Sequence, residues 1–200
     1  MKLILLSSNN EVIRKYLEKG KKIGFIPTAS ELDEDRWYME KDKNKLLEMG
    51  YKIENIEITI ETTEEIKRKI DSSDALFIAG GNSYYLLQQL KEKDVVTKIV
   101  DSINSGKLYI GASAGSVIAC PTIEVLEDMD NPKEAPLLKS FDALDVIEFY
   151  ILPHYNSKEK YTLKADLIEK KYSNLEFVKL RDNQAIIVIE RNNYEIVDTE

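Results

Sequence analysis

Ser113 stands in the run Gly-Ala-Ser-Ala-Gly at 111–115, with an apolar segment on each side. A strand, a tight turn and a helix give this pattern when the turn must present a serine hydroxyl above a sheet edge. Glycines without a Cβ let strand and helix pass close together around the strained turn. The pattern predicts a nucleophilic serine, with the backbone N–H of Ala114 directed at a developing oxyanion. An ordinary strand-to-helix turn is the alternative.

His154 is the one histidine of the chain, and it follows an apolar, strand-like segment and Pro153. In open α/β sheets, functional groups collect at the carboxyl ends of the strands, so we expect Ser113 and His154 at one edge. An imidazole can act there as a general base near neutral pH, oriented by a carboxylate. The carboxylates between the two residues are candidates that composition does not separate: Glu124, Glu127, Asp128, Asp130, Glu134, Asp142 and Asp145.

Gly80-Gly81-Asn82 ends a second apolar run and opens a helix-like segment. Two glycines at this point allow backbone N–H groups to face a ligand at the helix N-terminus, which would supply a second oxyanion donor. The run lacks the spacing of a dinucleotide-binding loop or a P-loop. Asn82 either binds a substrate carboxylate or caps its helix. A plain tight turn is the alternative for the whole motif.

Composition limits the classes of partner and cofactor. A formal net charge of −8 argues against a nucleic-acid partner. One cysteine, Cys120, cannot form an internal disulfide, and one histidine with one cysteine cannot build a zinc site. The first apolar run, at 3–6, is too short for a signal peptide or a membrane span. We therefore expect a cytoplasmic protein without a membrane partner, a metal or another cofactor.

Short apolar runs alternate with charged amphipathic stretches, and 200 residues favour a single domain over 1–200. This alternation predicts an α/β fold with a mainly parallel sheet sandwiched between helices. Residues 121–145 read as loops with short strands. The predicted strands are 3–7, 22–27, 53–58, 75–79, 107–112, 147–152, 177–180, 185–189 and 195–197. The predicted helices are 10–19, 32–49, 63–70, 83–91, 95–104 and 158–172, with a further helix beginning at 115.

Trp37 and Tyr38 lie in the charged helix predicted over 32–49. They are interpreted either as core contacts or as an oligomer surface, which leaves a homodimer open.

Five short motifs occur together and in order: residues 77–87 around Gly-Gly-Asn, the elbow at 111–116, Pro-Thr-Ile at 121–123, Phe-Asp-Ala-Leu at 141–144 and Pro-His-Tyr at 153–155. Together they resemble the dipeptidase E (α-aspartyl dipeptidase) family of serine peptidases, with cyanophycinase as a more distant relative. The resemblance covers nearly the whole chain. It implies a class I glutamine amidotransferase-like, flavodoxin-like sandwich with serine at the elbow.

The resemblance also implies a catalytic triad in the chain order serine, acid, histidine. Ser113 matches the nucleophile and His154 the base. Asp128, which is followed by Met129, is the best match to the acid, with Glu127 and Glu124 as alternatives. Gly81 and Ala114 match the oxyanion donors, and Gly80 and Asn82 belong to the same substrate-binding turn.

The resulting hypothesis is a serine peptidase that hydrolyses dipeptides or short peptides with an acidic N-terminal residue through an acyl-enzyme. The family's substrate-binding arginine has Lys164 as its nearest match, and lysine lacks the two-pronged geometry of arginine for a carboxylate. The mechanism is therefore better supported than the preference for aspartate. The alternatives are a cyanophycinase-like or other small-acyl hydrolase, such as an esterase or amidase, and a non-catalytic binding protein on the same scaffold.

Overall fold

A seven-stranded sheet forms the centre of the computed structural model, which describes residues 2–8 and 10–199. The strand order is β3-β2-β4-β5-β1-β8-β9. The strands are β1 (Leu3–Leu6), β2 (Lys22–Ile26), β3 (Lys52–Asn55), β4 (Ala75–Ile78), β5 (Leu108–Ala112), β8 (Gln184–Glu190) and β9 (Asn193–Asp198). Two further strands, β6 (Tyr150–Leu152) and β7 (Phe177–Lys179), pair in parallel as a separate small sheet.

The five strands from β3 to β1 run parallel, and β8 and β9 extend the sheet in antiparallel fashion. Every residue of β1, β4 and β5 is buried, as expected for strands covered on both faces. Along β1, Leu3 and Leu5 pack into one apolar core, while Ile4 and Leu6 pack into another on the opposite face. The predicted fold class, a mainly parallel sheet between helices, is confirmed.

Helices cover the two faces unequally. The helices are α1 (Trp37–Glu48), α2 (Thr63–Ser72), α3 (Ser83–Glu92), α4 (Val96–Asn104), α5 (Ala114–Val117) and α6 (Glu159–Lys171). Buried side chains of α2 to α6 join the core of Leu3 and Leu5, whereas α1 packs on the other face. Helix α2 begins at a capping box in which Thr62 and Glu65 satisfy each other's backbone N–H groups.

Two predicted helices are shorter than expected, and each has a side-chain hydrogen bond near its start that does not continue the predicted helix. Residues 10–19 form only the 3₁₀ helix Glu11–Lys15, and the Asn10 side chain donates to the backbone oxygen of Asp42 at 3.2 Å instead of capping it. Helix α1 begins at Trp37, whose backbone N–H donates to Asp35 Oδ1 at 3.1 Å. Trp37 is 62% exposed, so its interpretation as a core contact is wrong.

The segment 121–145 is irregular, as predicted. It contains the short 3₁₀ helices Glu124–Leu126 and Pro132–Glu134 and an isolated antiparallel bridge between Thr122 and Asp142. This segment lies over the start of α3, which brings several of the predicted acids close to the Gly-Gly-Asn turn.

Candidate active site

The turn between β5 and α5 has the geometry of a nucleophile elbow. Ser113 occupies it with φ 47° and ψ −107°, a conformation that residues other than glycine rarely adopt. A Cβ on Gly111 would lie 2.4 Å from the Gly115 oxygen, and one on Gly115 would lie 2.1 Å from the Ile78 oxygen. Both glycines are therefore needed for β5, α5 and β4 to pass at this distance.

Hydrogen bonds hold the elbow against the neighbouring strand. The backbone N–H of Ser113 donates to the Leu6 oxygen of β1 at 2.9 Å. The buried hydroxyl of Ser116, three residues further on, lies 2.8 Å from both the Leu6 and the Gly111 oxygens. The backbone around Ser113 is thus fixed by the central sheet, which orients its hydroxyl.

His154 reaches the elbow from the small sheet. Strand β6 ends at Leu152, and after Pro153 the backbone of His154 takes a positive φ of 62°. The Ser113 hydroxyl lies 2.9 Å from Nε2 of His154, within the range for proton transfer to a general base. The structure thus brings together two predicted site residues that stand 41 positions apart.

Asp182 completes the arrangement on the other side of the imidazole. Its Oδ1 lies 2.7 Å from His154 Nδ1, so a proton on Nδ1 is donated to the carboxylate and Nε2 is left to accept from Ser113. The hydrogen bond from His154 is the main cause that holds the pKa of the Asp182 carboxyl below its ordinary value. An ionised carboxylate, an imidazole and a hydroxyl therefore lie in line.

The acid predicted from the resemblance was Asp128, which is not among the hydrogen-bond partners of the imidazole in the described residues. Both nitrogens of the His154 ring are engaged by Ser113 and Asp182, and Asp128 is exposed in the irregular segment. Of the two alternatives, Glu127 accepts from Lys171 Nζ at 2.6 Å on the surface. Glu124 is exposed at the start of its 3₁₀ helix.

Asp182 lies outside the carboxylates predicted from the sequence, which all stand between the serine and the histidine along the chain. It lies in the turn between β7 and β8, two of the strands predicted at the C-terminal end of the chain. Strand β7 is parallel to β6, so both end near His154, while β8 is antiparallel to β1 and begins where β1 ends. An acid directly after one predicted strand and before another was the available signal.

The Gly-Gly-Asn turn lies beside the elbow. Gly81 has a φ of +137°, and a Cβ there would lie 2.0 Å from the Ala29 oxygen, while a Cβ on Gly80 would lie 3.2 Å from the Cβ of Ser113. Ala114 is the first residue of α5, so its N–H has no acceptor within the helix. The N–H groups of Gly81 and Ala114 thus belong to two turns that meet at the serine.

Asn82 acts as a helix cap. Its Oδ1 accepts the N–H of Tyr85 at 2.9 Å, and its Nδ2 donates to Glu134 at 2.7 Å and to the Asn131 oxygen at 3.1 Å. Because the amide group is occupied by groups of the chain itself, capping is the role of Asn82 that the geometry supports.

Asp130 binds the N-terminus of α3 directly. Its Oδ2 accepts the N–H of Ser83 at 2.9 Å and the Ser83 hydroxyl at 2.6 Å. Burial raises the pKa of the Asp130 carboxyl, although these two hydrogen bonds act in the opposite direction. The positive end of α3 is therefore already matched by a carboxylate of the chain itself.

A cavity of about 800 Å³ opens over these residues. Its size falls within the range of small-molecule and peptide pockets. Its walls carry both signs of charge. The cations are Lys41, Lys158 and Lys160, and the carboxyl groups besides Asp182 are those of Asp33, Asp42, Asp130 and Glu134. Trp37 and Tyr38 also line it, which gives these aromatic residues a place at the cavity.

Residues 3–196 match the model of peptidase family S51. The chain belongs to this family. Its relatives include an uncharacterized peptidase of Listeria monocytogenes, 35% identical over 191 residues, which covers 93% of each chain. Peptidase E of a Nostoc species is 33% identical over 168 residues, which covers 78% of this chain and 66% of the relative. The predicted resemblance to the dipeptidase E family is confirmed.

Solved structures agree. A crystal structure from Listeria monocytogenes, described provisionally as a Peptidase E protein, superposes with a TM-score of 0.89 at 32% identity and 98% coverage of both chains. A peptidase from an acI-B1 actinobacterium shares the fold with a TM-score of 0.67 at 18% identity, covering 98% of this chain and 87% of the other. Membership of family S51 makes the protein a serine peptidase, and thus a hydrolase.

Within residues 2–8 and 10–199, no helix has the length and apolar character needed to cross a bilayer. The same residues contain no group of three or more histidine, cysteine, aspartate or glutamate side chains arranged to hold a metal ion.

Proposed function

We propose that the protein hydrolyses dipeptides or short peptides through a triad of Ser113, His154 and Asp182. The observation that carries this proposal is the continuous hydrogen-bonded line from the serine hydroxyl to the carboxylate, 2.9 Å on one side of the imidazole and 2.7 Å on the other. The three groups have the types and the order of contacts that activate a serine for acyl transfer.

In this mechanism Ser113 Oγ attacks the scissile carbonyl carbon while its proton passes to His154 Nε2. Asp182 accepts the Nδ1–H bond and stabilises the imidazolium that forms. His154 then returns the proton to the leaving amine as the peptide C–N bond breaks. Water then attacks the acyl-enzyme carbonyl while its proton passes to His154. The bond between the acyl carbon and Ser113 Oγ breaks, Oγ takes the proton back from His154, and the acid product leaves.

The tetrahedral intermediates carry a negative oxygen that needs donors. We assign this role to the backbone N–H groups of Ala114 and Gly81, since both turns meet at Ser113. One such donor contributes about 3–4 kcal/mol to stabilisation of the transition state. A Cβ on Gly81 or Gly115 would collide with a backbone oxygen, so both turns are closely packed. This close packing supports a rigid pair of donors, which needs little reorganisation during the reaction.

The charges of the cavity support a substrate with charged ends. Lys160 lies with its Nζ 4.8 Å from the centre of the Tyr161 ring, and that ring lies 5.4 Å from the His154 ring, so the lysine and the imidazole both lie beside the same aromatic ring. We propose that the cavity lysines receive substrate carboxylates, including an acidic N-terminal side chain. Glu134, which also lines the cavity, would receive the N-terminal ammonium. Lys164, the predicted match to the family arginine, is not among the cavity-lining residues.

The test is hydrolysis of Asp-Leu, Glu-Leu, Ala-Leu and β-Asp-Leu by the wild type and by Ser113→Ala. We expect cleavage of Asp-Leu ahead of Ala-Leu. We expect Ser113→Ala to cleave Asp-Leu about 10⁴-fold more slowly or worse, as for other serine hydrolases without their nucleophile. Unchanged turnover in Ser113→Ala would overturn the assignment of the nucleophile.

The same panel separates the alternative functions. Cleavage confined to β-Asp-Leu or to simple esters would favour a cyanophycinase-like enzyme or another small-acyl hydrolase. A folded wild type that neither cleaves any member nor reacts at Ser113 with a fluorophosphonate would favour a binding role on this scaffold.

A further inference from the structure

Ser7 lies at the carboxyl end of β1, where it meets the elbow. Strands β1 and β5 pair in register with Leu6 opposite Ala112, so the next residues along the two strands are Ser7 and Ser113. Ser7 is 1% exposed and also lines the cavity above the nucleophile. A buried hydroxyl at this position needs partners, and both of its partners belong to the proposed triad.

The hydroxyl of Ser7 connects Asp182 to His154. It donates to Asp182 Oδ1 at 2.8 Å, the same oxygen that receives the imidazole Nδ1–H. It accepts the backbone N–H of His154 at 2.7 Å and lies 3.4 Å from Nδ1. One side chain therefore holds the carboxylate through its hydrogen and the histidine backbone through its oxygen.

We propose that Ser7 is a positioning residue for the hydrolysis: its hydroxyl fixes Asp182 and His154 relative to each other. This inference rests on the proposed function. The neighbouring elements explain why such positioning is needed. The backbone of His154 has a positive φ of 62° at the end of a three-residue strand, and the Asp182 side chain is 45% exposed in a turn. Neither element alone would hold its side chain to the precision that proton transfer needs.

Ser7 also acts on the charge of the carboxylate. Its hydrogen bond favours the ionised form of Asp182, as do the larger contribution of His154 and the smaller one of Lys158, and together they keep the pKa of this carboxyl low. Loss of the Ser7 hydroxyl would therefore raise the pKa of Asp182. A serine that only filled space at the end of β1 would have no such effect.

The experiment compares wild type, Ser7→Ala and Ser102→Ala. Ser102 is a matched control, because it is 5% exposed and its hydroxyl donates only to the Lys98 oxygen in its own helix, at 2.8 Å. Phosphonylation of Ser113 by a fluorophosphonate is followed against pH. In ¹⁵N-histidine-labelled protein, the Nδ1–H signal belongs to His154 without ambiguity, since the chain has one histidine.

We expect Ser7→Ala to react about tenfold more slowly near neutral pH, the effect of one hydrogen bond to a charged group. The acid side of its rate profile should move to higher pH, and its Nδ1–H signal should shift and exchange faster with water. Ser102→Ala should match the wild type in all three measurements. Ser7→Thr, which keeps the hydroxyl, should recover the wild-type profile and signal.

Equal rates, profiles and Nδ1–H signals in wild type and folded Ser7→Ala would overturn the role of Ser7 alone. If Ser7→Ala did not fold, Ser7→Cys would take its place with the same expected direction, since a thiol is a weak donor of similar size. A wild type that did not react at Ser113 would count against the proposed function instead, and the Nδ1–H signal would still decide whether Ser7 holds the histidine.

Discussion

Two segments place aspartates near Ser113, and the pKa values of the two carboxyl groups shift in opposite directions. The short turn between β7 and β8 carries Asp182, whose pKa is held low by the hydrogen bond from His154. The irregular segment 121–145 carries Asp130, whose pKa is raised by burial although it accepts two hydrogen bonds from Ser83. One carboxylate accepts a hydrogen bond from an imidazole, and the other accepts the backbone N–H at the start of a helix.

The difference shows that the partner, rather than closeness to the nucleophile, decides what a carboxylate does. A hydrogen bond from an imidazole favours the ionised form, while burial against neutral groups disfavours it. Asp182 is therefore suited to stabilise an imidazolium. Asp130 is suited to hold the start of α3 and the Gly-Gly-Asn turn in place.

The largest expected effect comes from removing the charge of Asp182. We predict that Asp182→Asn lowers kcat/KM by about 10⁴-fold, because an amide favours the wrong imidazole tautomer while leaving the shape intact. Asp128→Asn, at the acid expected from the resemblance, should stay within about twofold, since surface changes have small effects. A reversed order of the two variants in the same dipeptide assay would restore Asp128 as the acid.

Asp130 should matter to stability more than to the chemical step. We predict that Asp130→Ala lowers the free energy of unfolding by about 1–2 kcal/mol through loss of the bonds to Ser83 at the N-terminus of α3. Urea denaturation measures this change. The contrast with Asp182 would fail if Asp130→Ala kept full stability and lost activity as severely as Asp182→Asn.

The two carboxyls should also give stability opposite dependences on pH. The pKa of Asp182 is lowered below 3.8. Its contribution to stability is therefore present above that pH and is lost as the pH falls through the lowered pKa. The pKa of Asp130, in contrast, is raised above 3.8. Its contribution to stability is therefore present below that pH and is lost as the pH rises through the raised pKa.

Unfolding free energies measured against pH check these signs. Asp182→Asn should reduce the loss of unfolding free energy at acidic pH. Asp130→Asn should reduce the loss of unfolding free energy at higher pH. Two variants with the same pH dependence would contradict the comparison.

Much of the site was predictable from local pattern. The elbow at Ser113 follows from a buried strand, two glycines and a short helix in immediate succession, and the contacts of Gly111 and Gly115 show why other residues do not fit. His154 was predicted from its position after an apolar strand. These features depend on neighbours along the chain, which a single sequence displays directly.

The rest was decided by strand pairing. Asp182 stands 28 positions after His154 and reaches it only because β7 pairs beside β6 and β8 pairs against β1. Ser7 joins them because β1 ends beside the elbow. Hydrophobic alternation identifies strands but not which of them are neighbours, because pairing is set by packing of both apolar layers at once. The positions of Ser113 and His154 therefore followed from the local sequence, whereas the carboxylate of Asp182 and the hydroxyl of Ser7 reach the histidine only through the tertiary structure.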